Sequence, residues 1–173
     1  MKWNRKFVYP KSIRSTDNGI RRYLIGEKKL PSVTSILDKT KSEEDKAALA
    51  NWVERTGLKE SEAIVKAASN RGSKMHAYLE SFLLGQENLS FFDDNEQYKI
   101  MAKQIIEKGL INRFEEVWGV ECTLYKPDSY SGTCDAVGVY DGRESIIDFK
   151  QSNKPKKFEY IDSWLLQTAA YSL

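Results

Sequence analysis

Cysteine is scarce in this chain, and so is any long apolar stretch. Two cysteines, Cys122 and Cys134, are too few for a disulfide framework or a four-cysteine metal site, which points to a reduced, intracellular setting. No apolar run approaches the roughly 18 residues that read as a membrane span. The first residues, MKWNRKFVYP, hold no apolar signal core and are too short to read as a transit peptide, so a cytoplasmic location is expected. Neither sign of charge dominates: 27 basic residues against 25 acidic ones leave +2, with a pI near 8.4. That balance excludes a broadly basic surface, although basic residues can still cluster locally. There is no internal repeat and no low-complexity tract. What is present is 12% aromatic and 30% charged residues over 173 positions, the composition of a soluble globular protein with enough chain for one core.

The most informative stretch is GTCDAVGVYDGRESIIDFK, Gly132 to Lys150. Two strand-like runs, Thr133 to Tyr140 and Arg143 to Lys150, flank Asp141-Gly142, the signature of a two-residue type I′ turn. If Tyr140 pairs with Arg143, Asp135 falls opposite Asp148. Like charges directly across a ladder destabilise it. Lys150, two residues after Asp148, shares its face, while Ile147 and Phe149 point the other way into a core. Two carboxylates facing each other suit a hard divalent cation such as Mg²⁺ or Mn²⁺, and the lysine would lie near an attacking water or a phosphate oxygen. The competing reading is an Asp–Lys network on an exposed sheet face.

Residues 1–30 read as a small basic β element, with Lys6 to Tyr9 and Ile20 to Ile25 flanking the turn cluster Asp17-Asn18-Gly19. Arg14, Arg21, Arg22, Lys28 and Lys29 make it a solvated hairpin or a phosphate contact. Pro31 to Leu37 reads as a helix start; Ser32 and Thr34 either cap it or bind a phosphate at its N-terminus. Ser42-Glu43-Glu44-Asp45 opens a helix that Gly57 ends, with Ala47, Ala48, Leu49, Trp52 and Val53 as its apolar residues. A further helix from about Lys59 to Ala68 breaks or continues at Asn70-Arg71-Gly72. Met75, Leu79, Phe82 and Leu83 recur at helical spacing over Arg71 to Gly85. His76, the single histidine, and Glu80 lie four apart on one face. They form a surface pair or the edge of a metal site, with Glu80 a third carboxylate and His76 a nitrogen ligand. Arg71 and Lys74 stand at the expected N-terminal end, where phosphate is favoured.

A polar loop with Phe91-Phe92 leads to a helix from about Asn95 to Arg113, then to a strand from about Glu116 to Tyr125. Lys126-Pro127-Asp128-Ser129 reads as a type I turn into the central hairpin, which makes a three-stranded meander. After a basic loop, QSNKPKK, a last helix starts near Glu159. Trp164, Leu165 and Ala169 are expected to face inward, and Gln167 and Tyr171 share a face. The expected fold class is α/β (α+β): a mixed sheet centred on the hairpin, helices on both faces, and the small N-terminal β element. One domain is expected over 1–173, with a mainly helical part over 31–115 and the sheet and last helix over 116–173.

In order, the chain spells G-x-x-x-H-x-x-x-E at Gly72, His76 and Glu80, then G-x-x-D at Gly132 and Asp135. D-x-K follows at Asp148 and Lys150, and Q-x-x-x-Y at Gln167 and Tyr171. The set resembles the PD-(D/E)XK nuclease superfamily with its restriction-endonuclease-like core, and within it the RecB-type exonuclease branch. It also resembles the mitochondrial genome maintenance exonucleases and their phage and bacterial relatives, sharing a PSVT segment (Pro31 to Thr34) and a D-x-K-x-S stretch (Asp148 to Ser152). The resemblance covers roughly Pro31 to the C-terminus. It implies that Glu80, Asp135 and Asp148 bind one or two Mg²⁺ or Mn²⁺ ions, with the backbone carbonyl of Phe149 and with His76. It implies that Lys150 orients or deprotonates the water, and that Gln167 and Tyr171 contact DNA or brace the site. Ser152, Ser32 and Thr34 would lie along the strand path. Gln151 stands where close relatives often carry threonine. The four cysteines that hold an iron–sulfur cluster in some members are absent, so no cluster is expected. Members usually continue past the Q-x-x-x-Y helix, so a minimal or truncated form is expected. The function expected is a metal-dependent DNA exonuclease preferring single strands or free ends, with no membrane partner. Alternatives are a flap or branched-DNA endonuclease, or a nuclease-fold module that binds DNA without cutting.

Overall fold

The computed structural model describes residues 1–86, 96–152 and 155–173. The expected Phe91-Phe92 loop and part of the QSNKPKK loop lie outside the described residues. The strands are β1 (Lys2–Trp3), β2 (Ile13–Asp17), β3 (Ile20–Ile25), β4 (Lys28–Pro31), β5 (Phe114–Lys126), β6 (Tyr130–Tyr140) and β7 (Arg143–Ile147). The helices are α1 (Val33–Lys39), α2 (Glu43–Thr56), α3 (Leu58–Leu83), α4 (Gln97–Ile105) and α5 (Asp162–Ser172). The expected mixed α/β architecture is present. A four-stranded sheet runs β1-β5-β6-β7, with β1 parallel to β5 and the other pairs antiparallel; β2-β3-β4 form a separate antiparallel sheet.

The central hairpin forms as its turn chemistry dictates. Asp141 (φ 47°) and Gly142 (φ 73°) both take left-handed backbone, the type I′ pattern. The β6–β7 ladder then pairs Tyr140 with Arg143 and ends at Ala136 with Ile147. The strand stops three residues short of the expected Lys150. The cause is local: the Phe149 N–H donates to the Asp135 side chain, so backbone pairing gives way to a side-chain acceptor there.

Other expectations need correction. Asn18 (φ 50°) and Gly19 (φ 75°) make a two-residue turn that pairs β3 with the residues just before it, Ile13–Asp17, rather than with Lys6 to Tyr9. Asp128 takes φ 59°, which belongs to type II rather than type I geometry. Helix α3 passes through Asn70-Arg71-Gly72 unbroken, so Arg71 and Lys74 sit mid-helix rather than at its N-terminal end. Helix α4 gives way to a π turn at Ile106–Leu110, short of Arg113. A 3₁₀ turn at Phe158–Tyr160 precedes the last helix, which begins at Asp162 rather than Glu159. Helix α2 starts at its Ser42 cap as expected but buries no residue fully; Leu49 is exposed. Leu165 and Ala169 of α5 are likewise exposed.

Two cores hold the sheet. Met75, Leu79 and Leu83 of α3, Ala102 of α4, and Phe114, Val117, Ala136 and Phe149 make one. Val33 of α1, Tyr171 of α5, Trp118, Cys122, Cys134 and Val137 make the other. The sheet does not keep simple alternation between them. The registered pair Val120↔Ala136 packs in the first core, yet Cys122↔Cys134, two residues along, packs in the second. Residues two apart on a regular strand return to one face. The break falls at Glu121, whose φ of 50° is left-handed. The sheet therefore twists sharply where Glu121 and Asp135 lie across from each other.

Candidate active site

Helix α3, strands β5 and β6, the segment after β7, and helix α5 converge on one cleft of about 340 Å³. His76, Asp135, Asp148, Lys150, Gln167, Tyr171, Ser32 and Thr34 all line it, as do Arg14, Arg21, Tyr23 and Glu121. Arg71, Lys74, Glu80 and Ser152 are not among the lining residues.

Asp135 is 9% exposed and fully engaged: one oxygen meets His76 Nδ1 at 2.8 Å and the other accepts the Phe149 N–H. The hydrogen bond to Asp135 raises the His76 pKa, and the charge of Asp148 adds to it, against the effect of burial. Asp148 is bridged on both oxygens, by Lys150 Nζ and by Gln167 Nε2 at 3.1 Å. Burial raises its pKa, and Lys150 beside it limits the rise. Gln167 Nε2 also donates to the Tyr171 hydroxyl at 3.1 Å. The Q-x-x-x-Y pair thus braces Asp148 from α5.

Gly132 completes that brace. A Cβ at this position would lie 2.5 Å from the Tyr171 hydroxyl oxygen and 2.7 Å from Cζ, so the ring packs directly on backbone. The G-x-x-D spacing places the bare backbone that Tyr171 needs three residues before Asp135.

Glu121 was not foreseen as a site residue. His76, Glu121 and Asp135 each offer a ligand atom within 4.8 Å of the others. Two donors on one Mg²⁺ or Mn²⁺ ion at about 2.1 Å stand at most about 4.2 Å apart, so a small closure would bring the three onto one ion. Two carboxylates and an imidazole are a donor set that suits such a cation. Although the Glu121 side chain reaches solvent, partial burial and the charges of Asp135 and Glu80 push its pKa up to about 7. Glu80, one helical turn past His76, is felt at Glu121 but lies outside this triad. In the sequence Glu121 looked like one more polar strand residue; the only available signal was its position opposite Asp135 once β5 is registered on β6.

The remaining expected residues have structural partners. Ser32 is 1% exposed, and its hydroxyl accepts the Ser35 N–H at 3.0 Å, capping α1, and contacts Thr34 Oγ1 at 3.1 Å. Arg71 donates to Gln151 at 3.1 Å and to Gln97 at 3.2 Å. Lys74 lies 3.6 Å from Glu96 and over the Tyr98 ring. No helix among the described residues is long and apolar enough to cross a membrane.

No family model matches the chain. It is similar to mitochondrial genome maintenance exonuclease 1 of Homo sapiens, 30% identical over 137 residues, covering 75% of this chain and 38% of that protein. The Mus musculus protein of the same name is 32% identical over 132 residues, covering 73% of this chain and 38% of its own length. The chain therefore spans under two-fifths of these relatives.

Proposed function

We propose that the cleft hydrolyses phosphodiester bonds of DNA with the aid of one or two Mg²⁺ or Mn²⁺ ions, as an exonuclease preferring single strands or free ends. The observation that carries the reading is the convergence of His76, Glu121 and Asp135 in the cleft that also holds Asp148 and Lys150. The likeness to two proteins named as exonucleases supports the same reading. Asp135, Asp148 and His76 would hold the metal, with the Phe149 carbonyl and one of Glu80 or Glu121 as further donors. A bound divalent ion supplies a water of lowered pKa and stabilises charge on the leaving oxygen. The chain's own residues do the rest. Asp135 fixes the His76 ring through Nδ1 and leaves Nε2 free to bind. Lys150 neutralises Asp148 in the resting site, and turned towards the phosphate it would place a cation where negative charge develops. Gln167 and Tyr171 hold Asp148 in place. Ser32, Thr34, Ser152, Arg71 and Lys74 would then serve the strand path rather than the chemistry.

The test is digestion of end-labelled linear single-stranded DNA beside a circular control, with Mn²⁺ and with EDTA. Loss of the linear strand in Mn²⁺ with circles spared is the expected result. Cut circles would make the protein an endonuclease; binding without any cutting would make it a non-cleaving module.

A further inference from the structure

We propose that the open groove beside the catalytic cleft, walled by residues 3–12 and floored by β5, holds an unpaired nucleic-acid strand and leads it into that cleft. The proposal rests on the nuclease reading and adds where the strand runs. The groove encloses about 820 Å³, and Arg14, Tyr23, Glu121 and Thr133 line both it and the catalytic cleft, so the two are continuous.

The wall alternates side chains that suit such a strand. Trp3, Arg5, Phe7, Tyr9 and Lys11 all line the groove. Trp3 and Phe7 are 41% and 48% exposed. Arg5 and Lys11 are exposed and make no ion pair with a described residue, whereas Lys6 is held by Glu144 at 2.8 Å. Among the lining residues Arg5, Lys11 and Arg14 are cationic, and Glu121, at the junction with the cleft, is the one acid. A near-neutral chain thus concentrates positive charge along one path, as phosphate binding requires.

The wall is fixed although residues 4–12 form no strand. The Trp3 indole donates to the Leu83 carbonyl at 3.0 Å, and the Asn4 N–H donates to the Val117 carbonyl at 2.9 Å. At the other end Ser12 Oγ meets Thr123 Oγ1 at 2.8 Å. Phe7 stands edge-on to Trp118, 5.5 Å between centroids. Ordered, exposed aromatic faces between cations offer unpaired bases a stacking surface and their phosphates a counter-charge; in a duplex the base faces are hidden. An acidic peptide would satisfy Arg5 and Lys11 and leave Trp3 and Phe7 uncovered.

The test uses a fluorescein-labelled oligothymidylate of about twenty nucleotides at low salt in EDTA, read by anisotropy, and the same strand carrying 5-iodouracil for photo-crosslinking. Crosslinks on Trp3, Phe7 or Tyr9 are expected. Phe7→Ala should weaken binding roughly 5- to 150-fold, the range for one base–aromatic stack. The Arg5→Glu, Lys11→Glu double variant should weaken it and flatten the salt dependence. All three side chains are exposed, so unchanged melting temperatures will show that the variants fold. Unchanged affinities, with crosslinks confined to Tyr171, would overturn the groove and leave the catalytic reading standing. Absence of any binding by the wild-type chain would overturn both. Tighter binding of polyglutamate than of oligothymidylate would overturn the groove in favour of an acidic peptide.

Discussion

Replacing Gly132 with alanine tests whether the G-x-x-D and Q-x-x-x-Y motifs form one packed unit. The added Cβ would stand 2.5 Å from the Tyr171 hydroxyl oxygen and 2.7 Å from Cζ. Ordinary contact begins near 3.4 Å, so the ring must retreat by close to 1 Å. A shift of that size strains the hydrogen bond to Gln167, now 3.1 Å, and loosens the hold on Asp148. Overpacking of this kind costs about 1–3 kcal/mol, and a lost hydrogen bond about 1 kcal/mol. The lower chain entropy of unfolded alanine offsets about 0.4–1 kcal/mol. The net expectation is about 1–3 kcal/mol, or a melting temperature lowered by roughly 3–10 °C. Urea unfolding should report it, together with the same substitution in a Tyr171→Leu background. There the clash has no ring to meet, and Gly132→Ala should cost almost nothing. An equal cost in both backgrounds would refute the coupling.

Two further outcomes follow from the electrostatics. In the metal-free protein the Glu121 carboxyl is pushed up to about 7 and His76 is raised by Asp135, so both bind more protons folded than unfolded. The stability that His76 contributes is present below its unfolded pKa of about 6.5 and is lost as pH rises through its higher folded value. Glu121 ionises at a cost to the fold between its ordinary range and about 7. Melting temperature, as far as these two groups set it, should therefore fall from pH 5 to 7.5 in EDTA, and Glu121→Gln should flatten the fall; an equally steep fall in the variant would contradict this. Mn²⁺ at a hundredfold excess over its dissociation constant should add about 2.7 kcal/mol of stability, and Asp135→Asn should remove most of that gain in a thermal-shift assay. An undiminished gain in the variant would place the ion elsewhere.

The central hairpin was legible because its turn is short-range chemistry. Asp141-Gly142 sets the register, and the register places Asp135 against the segment carrying Asp148 and Lys150. His76 was legible from helical spacing, and Gln167 and Tyr171 from their i,i+4 relation. The role of Gly132 was not, since it depends on a ring reaching over from α5. Glu121 was missed for a related reason. Its approach to Asp135 and His76 follows from a left-handed residue inside a strand, and nothing local in Gly-Val-Glu-Cys announces that twist. The sequence does not decide whether α3 runs unbroken, because Gly72 resembles a stop. In the fold it sits against Gln151, and a Cβ there would be in ordinary contact at 3.6 Å. Lys6 to Tyr9 looked like a strand from composition, but the Asn18-Gly19 turn commits β3 to its nearer neighbour.

Whether this cleft cuts DNA is decided by digestion of linear single-stranded DNA by the wild type, Lys150→Ala and Asp135→Asn, each in Mn²⁺. The wild type should cut, EDTA should abolish the cutting, and both variants should lose it by several orders of magnitude while remaining folded. Undiminished cutting by either folded variant would show that the chemistry lies outside this cleft.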